Sequence, residues 1–203
     1  LHISELRFPA QLLWNPDLFA FQSKEAIKQS YSFSAFSHTS RDEAVLRRLS
    51  ALPNRRYIQL PGNISDRVRN LAREVTAGAA SPYGKAKALE QFLKTSYSYD
   101  FGYKNAPKDW EAADWFLFEE RRGVCANFNH AFVVMARSIG LPTRPVVGWA
   151  IAATNAEQEV RADQAHQWAE VRFEGAGWLY SAATAPGGAP DRVPAFPGPV
   201  ATP

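Results

Sequence analysis

Cys125 is the only cysteine in a chain of 203 residues. It has no partner for an internal disulfide and no companions for a cysteine-rich zinc site. It is therefore either a small core residue or a thiol with a task. A thiol becomes a nucleophile near neutral pH where its thiolate is stabilised, and the free N–H groups and positive end of a helix do that. Downstream, Phe128, Ala131, Phe132, Met135 and Ile139 recur at helical spacing and stop at Gly140 with Pro142 beyond. That pattern predicts a helix starting between Gly123 and Ala126, with Cys125 in its first turn. Gly123 would let the backbone turn sharply before it, and Arg121 and Arg122 would add positive potential if they point inward.

A nucleophilic thiol needs a base, and His166 opens a segment of alternating pattern. His166, Trp168 and Glu170 fall on one face of a predicted strand, and Gln167, Ala169, Val171 and Phe173 on the other. A single strand histidine is also an ordinary structural residue, so the neighbouring strand matters. With a hairpin turn centred near Gly175, position 182 faces Trp168 and is diagonal to His166, roughly 7–8 Å away. A carboxylate there would orient the imidazole and stabilise its protonated form. The residue there is Ala182, and Ser181 and Ala183 beside it carry no carboxylate; Asp163, three residues before His166, is the nearest in sequence. Cys125 and His130 make a poor metal pair, because five residues along a helix set them about 140° apart. No metal site and no other cofactor is expected.

These residues need elements to hold them. The segment 1–56 alternates apolar and polar residues in short pieces and reads as β-rich, with a half-exposed strand around Tyr31, Phe33 and Phe36. Ile64, Val68, Leu71 and Val75 predict a helix over 65–77, capped by Asn63 or Ser65. Ser81 and Pro82 start a second helix that carries Ala86, Leu89, Phe92 and Leu93 on one face and runs to about Thr95. Tyr97 and Tyr99 suggest a short strand, and 100–112 a loop. After the Cys125 helix come strands in 144–152, 166–173 and 177–183, with a polar loop over 153–164. From Pro186 the chain is rich in Pro, Gly and Ala and reads as a linker. The fold class is α+β, with a helix packed on an antiparallel sheet.

Composition bounds the partners. A hydrophobic fraction of 46% with 21% charged residues excludes a disordered chain, and a net charge of +3 recommends neither nucleic acid nor a membrane surface. Arg47, Arg48, Arg55 and Arg56 read as a solvated face. Neither a signal-peptide core nor a run approaching eighteen apolar residues is present. A soluble piece of a longer protein is expected. Trp110, Trp115, Trp149, Trp168 and Trp178 are large aromatics that could line a substrate groove or fill a core.

Taken together, Gly123-Val124-Cys125-Ala126-Asn127-Phe128, His166-Gln167-Trp168-Ala169-Glu170-Val171 and Gly177-Trp178 followed by Ala182-Ala183-Thr184 resemble a known pattern. It is the G-x-C, H-x-W-x-E-V, G-W-…-D-x-T pattern of bacterial transglutaminase-like domains with a papain-like fold. The preceding "PYGKAKALEQFLKTSYSYD" and "DWFLFEERRGVC" resemble extracytoplasmic, membrane-anchored members. The resemblance covers 57–190, between the β-rich end of an upstream region (1–56) and a linker (191–203). It implies acyl transfer at an amide through a thioester, with Cys125 as nucleophile, His166 as base and position 182 as the triad acid. Trp168 and Trp178 would lie around the substrate. The implied partners are a protein or peptide carrying a glutamine or other amide, and water or a primary amine. Membrane contact would come only through segments outside this sequence. Ala182 departs from the pattern's Asp. Either the natural chain has lost its triad acid or a substitution removed it, which implies an impaired enzyme or an inactive binding or scaffold domain.

Overall fold

A computed structural model describes residues 42–51, 53–150 and 161–185 in full. It also gives the backbone of strands β1 (Ile3–Arg7), β2 (Leu12–Asn15), β3 (Ala20–Ser23) and β4 (Ser34–Ser37). These strands form two antiparallel pairs, β1 with β4 and β2 with β3. The linker read from Pro186, the end of the strand past Ala150 and most of the 153–164 loop lie outside the described residues.

A short helix α1 (Glu43–Leu46) and a 3-10 turn at Arg55–Tyr57 lead to helix α2 (Asp66–Thr76). Ser65 stands at the N-cap of α2, but its hydroxyl donates to Asp114 Oδ1 (2.6 Å) instead of capping. The helix end is thereby tied to the element before the site. Helix α3 (Pro82–Ser96) begins as its sequence dictates, with Ser81 Oγ accepting from Gly84 N (3.1 Å) and Pro82 at the first position.

Strand β5 (Ser98–Tyr99) pairs in parallel with β6 (Arg122–Gly123), two residues ahead of Cys125. Between them lies an element that periodicity does not reveal. Helix α4 (Ala112–Asp114) continues as a wider π-turn over Trp115–Glu120, closed by Arg121 N donating to Phe116 O (3.1 Å). Arg121 ends it in the left-handed region at φ 57°. The N-cap is Glu111, outside the usual cap residues, and the run Trp115-Phe116-Leu117-Phe118 carries no helical stripe.

Helix α5 (Cys125–Ser138) is the centre of the core. Phe128, Ala131, Phe132 and Met135 are fully buried against Val68 and Ala72 of α2, Leu89 and Leu93 of α3, and Phe116 and Leu117. Gly140, at φ 81°, supplies the left-handed residue that ends it. A three-stranded antiparallel sheet, β7 (Thr143–Trp149), β8 (Ala165–Phe173) and β9 (Gly177–Ser181), covers its other side. Ala169, Val171 and Phe173 make the buried face of β8. The β8–β9 register runs from Phe173↔Gly177 to Ala169↔Ser181 around Gly175 (φ 77°). This is the register expected from the turn, and it ends one residue short of Ala182.

Candidate active site

Val124 is the N-cap of α5, and its side chain offers no acceptor. The cap is completed from inside the helix: Asn127 Oδ1 accepts from Val124 N (3.0 Å). Gly123 makes room for this. A Cβ at 123 would stand 2.6 Å from Asn127 Cβ and 2.7 Å from its Cγ, so the glycine is needed for space and not, as its position first suggests, for a turn. Asn127 N and Phe128 N both reach Val124 O (2.9 and 3.2 Å). The N–H groups of Cys125 and Ala126 have no carbonyl within the helix to bond, which makes the half-buried Cys125 the residue at the positive end of α5.

Arg121 and Arg122 do not add to that potential as the sequence suggests. Arg121 donates to Ser96 O (3.2 Å) and lies over the Tyr97 ring (4.9 Å). Arg122 pairs with Asp100 (2.9 Å) and Glu120 (2.7 Å). The Gly102 N–H, followed by Arg122, holds the Asp100 carboxyl below its ordinary range, so this cation is spent locally on fixing the loop beside β6.

His166 lies across the sheet from Gly148 of β7, with its ring near-parallel to Trp168 (6.3 Å between centroids, 22° between planes). Trp168 in turn lies over Gly148, where a Cβ would stand 2.8 Å from the indole Cη2. Burial pushes the imidazole below its ordinary pKa, which favours the neutral ring. Its Nδ1 is buried with no hydrogen-bond partner. Ala182, one residue past the last β8–β9 pair, brings only a methyl to that side of the sheet, and Ser181 Oγ is turned to Glu90 Oε2 (3.1 Å). Asp163 is exposed in the turn Ala162–Gln164.

Asn129, one helical turn beyond Cys125 and 1% exposed, joins the two halves of the site. Its Nδ2 lies 2.9 Å from Cys125 O, 2.7 Å from Gln167 O and 3.2 Å from Thr184 Oγ1. No motif or periodicity singles it out in the sequence. A polar residue four positions after the thiol, flanked by buried Phe128 and Ala131, was the available signal.

Trp178 is not at the site. It pairs with Arg172, six residues along β8 from His166 and thus about 20 Å away. It is buried between Arg144 (4.3 Å over the ring) and Tyr57 (4.8 Å, edge-on). The Glu of the motif, Glu170, is also structural: buried, with its Oε2 accepting from Arg144 Nε (2.9 Å) and Nη2 (2.7 Å). His130 faces away from Cys125 and bonds Glu111 Oε1 (2.7 Å). Arg47, Arg48, Arg55 and Arg56 are exposed. Among the described residues no cluster of three or more His, Cys, Asp or Glu could hold a metal ion.

A thiol at the start of a helix, packed on an antiparallel sheet that carries an imidazole, is the arrangement of papain-like cysteine enzymes. Residues 69–181 match the model of the transglutaminase-like superfamily, and the chain belongs to that superfamily. It is 37% identical over 133 residues to the uncharacterized protein YebA of Bacillus subtilis, covering 61% of this chain and 18% of that protein. It is 29% identical over 167 residues to a protein-glutamine gamma-glutamyltransferase of Pseudomonas aeruginosa, covering 79% of this chain and 24% of the other. The chain thus spans at most a quarter of the length of either relative. Among solved structures it resembles the periplasmic domain of TgpA from Pseudomonas aeruginosa. The ethylmercury-bound form gives a TM-score of 0.63 at 25% identity, over 88% of this chain and 64% of that one. A second TgpA structure gives 0.62. No helix among the described residues is long and apolar enough to cross a membrane.

Proposed function

We propose that this domain carries the machinery of a cysteine acyltransferase or amidase acting on glutamine side chains of proteins or peptides, weakened by Ala182 at the triad-acid position. The observation that carries the reading is the placement of Cys125 at the open end of α5, bound through Asn129 to the strand of His166. The Cys125 sulfur attacks the amide carbonyl while His166 takes the thiol proton. The N–H groups of Cys125 and Ala126 stabilise the oxyanion. Collapse breaks the C–N bond, His166 returns the proton to the leaving nitrogen, ammonia departs and a thioester remains. Water or a primary amine then attacks, giving up its proton through His166, and the thiol is regenerated.

Trp149, 60% exposed and paired with Ala165, offers an apolar surface beside the His166 strand for the substrate chain. The half-buried Trp168 serves by packing on the imidazole. An extracytoplasmic setting is supported by the likeness to a periplasmic domain, and any membrane anchor would lie in segments outside this sequence. The buried, unpartnered Nδ1 of His166 favours a second reading, an inactive domain kept for binding or scaffolding.

Alkylation of the folded chain by iodoacetamide near neutral pH distinguishes the two. The proposal predicts modification of Cys125 that slows about tenfold in His166→Ala. A rate indifferent to His166 would leave only the scaffold reading.

A further inference from the structure

Asn129 is costly where it stands. It is 1% exposed, its Oδ1 is buried without a partner, and it sits on the helix face that packs the core. A leucine has the same branching and leaves no acceptor unpaired, so stability alone does not account for an amide here. Its nitrogen is fixed by chemistry, since two of its three neighbours are backbone carbonyls and require a donor.

Those neighbours are the carbonyl of the thiol-bearing residue, the carbonyl of the residue after His166, and the hydroxyl of Thr184, two residues past Ala182. The β8–β9 ladder stops at Ala169↔Ser181. Two residues further along β8, where a third strand would otherwise bond Gln167, the amide of Asn129 takes the carbonyl. The end of α5 therefore takes the place of β9 at this point, and one side chain sets the distance between helix end, histidine strand and the segment bearing position 182.

We propose that Asn129 is a positioning residue for the Cys125–His166 couple. It holds the first turn of α5 in register with β8 through the Cys125 and Gln167 carbonyls, a role that rests on the acyl-transfer reading above. The Thr184 contact extends the same brace to the strand end where a triad acid would stand.

The test is the pH profile of iodoacetamide alkylation at Cys125 in the whole chain, for the parent, Asn129→Leu, His166→Ala and the double variant, with thermal melting measured in parallel. The proposal predicts that Asn129→Leu melts as a single folded species, loses the acid-side inflection that His166 gives the parent, and reacts about tenfold more slowly at mildly acid pH. The double variant should be no slower than either single one. If Asn129→Leu does not fold, Asn129→Ser, which keeps one hydroxyl donor, should show a partial loss in a folded protein. An Asn129→Leu profile that keeps the parent's inflection would overturn the positioning role while leaving the acyl-transfer reading intact. A parent profile identical to that of His166→Ala would overturn both.

Discussion

Asn127 occupies the space that a side chain at position 123 would need: its Cβ lies 2.6 Å from where a Cβ on Gly123 would stand. The same asparagine caps helix α5 through Val124 N. Gly123→Ala must displace it, so two losses combine, a strained contact and a missing cap, together about 1–3 kcal/mol. Thermal melting should fall by several degrees, and alkylation of Cys125 should slow as the first turn frays. An unchanged melting temperature would mean that the turn relaxes without loss.

His166 titrates below its ordinary value of 6.5 because burial disfavours the imidazolium. Below pH 6.5 the unfolded chain takes up a proton at this residue that the folded chain resists. Its contribution to stability is therefore full above that pH and is lost as the pH falls through the lower folded value. An NMR titration of the ring should give a midpoint under 6.5. Ala182→Asp should raise the midpoint by placing a carboxylate beside Nδ1, and Trp168→Ala should raise it by admitting water. A parent midpoint at or above 6.5 would contradict the desolvated ring.

Glu170 belongs to the motif by sequence and to the scaffold by contact. Glu170→Ala leaves the Arg144 guanidinium, 21% exposed, without its buried carboxylate, at a cost of about 3 kcal/mol. Melting should drop by roughly 6–12 °C for a chain of this size, with Cys125 alkylation unchanged in the folded protein. A loss of thiol reactivity without a change in melting would instead assign Glu170 to the chemistry.

The parts of the site that could be read from sequence are those governed by local rules. Gly140 and Pro142 mark the end of α5, and Gly175 sets the β8–β9 register, whose last pair Ala169↔Ser181 stands next to Ala182. What could not be read depends on partners distant in the chain. Asp100 neutralises Arg122 across twenty-two residues, and Asn129 finds its acceptors at Gln167 and Thr184. The helix and π-turn over 112–120 leave no periodic signal, because the cap is a glutamate and the apolar run is continuous. Trp178 belongs to the motif, but the register pairs it with Arg172, six residues along β8 from His166.

Ala182→Asp tests directly whether Cys125 and His166 are a nucleophile and base lacking their acid. Ammonia release from a glutamine-containing peptide, with and without a primary amine, should be near background for the parent. It should rise by on the order of 10²–10⁴ in the variant, the range a triad acid controls. Equal activity in the two proteins would mean that another residue orients His166, and silence in both would contradict the account and leave a binding or scaffold domain.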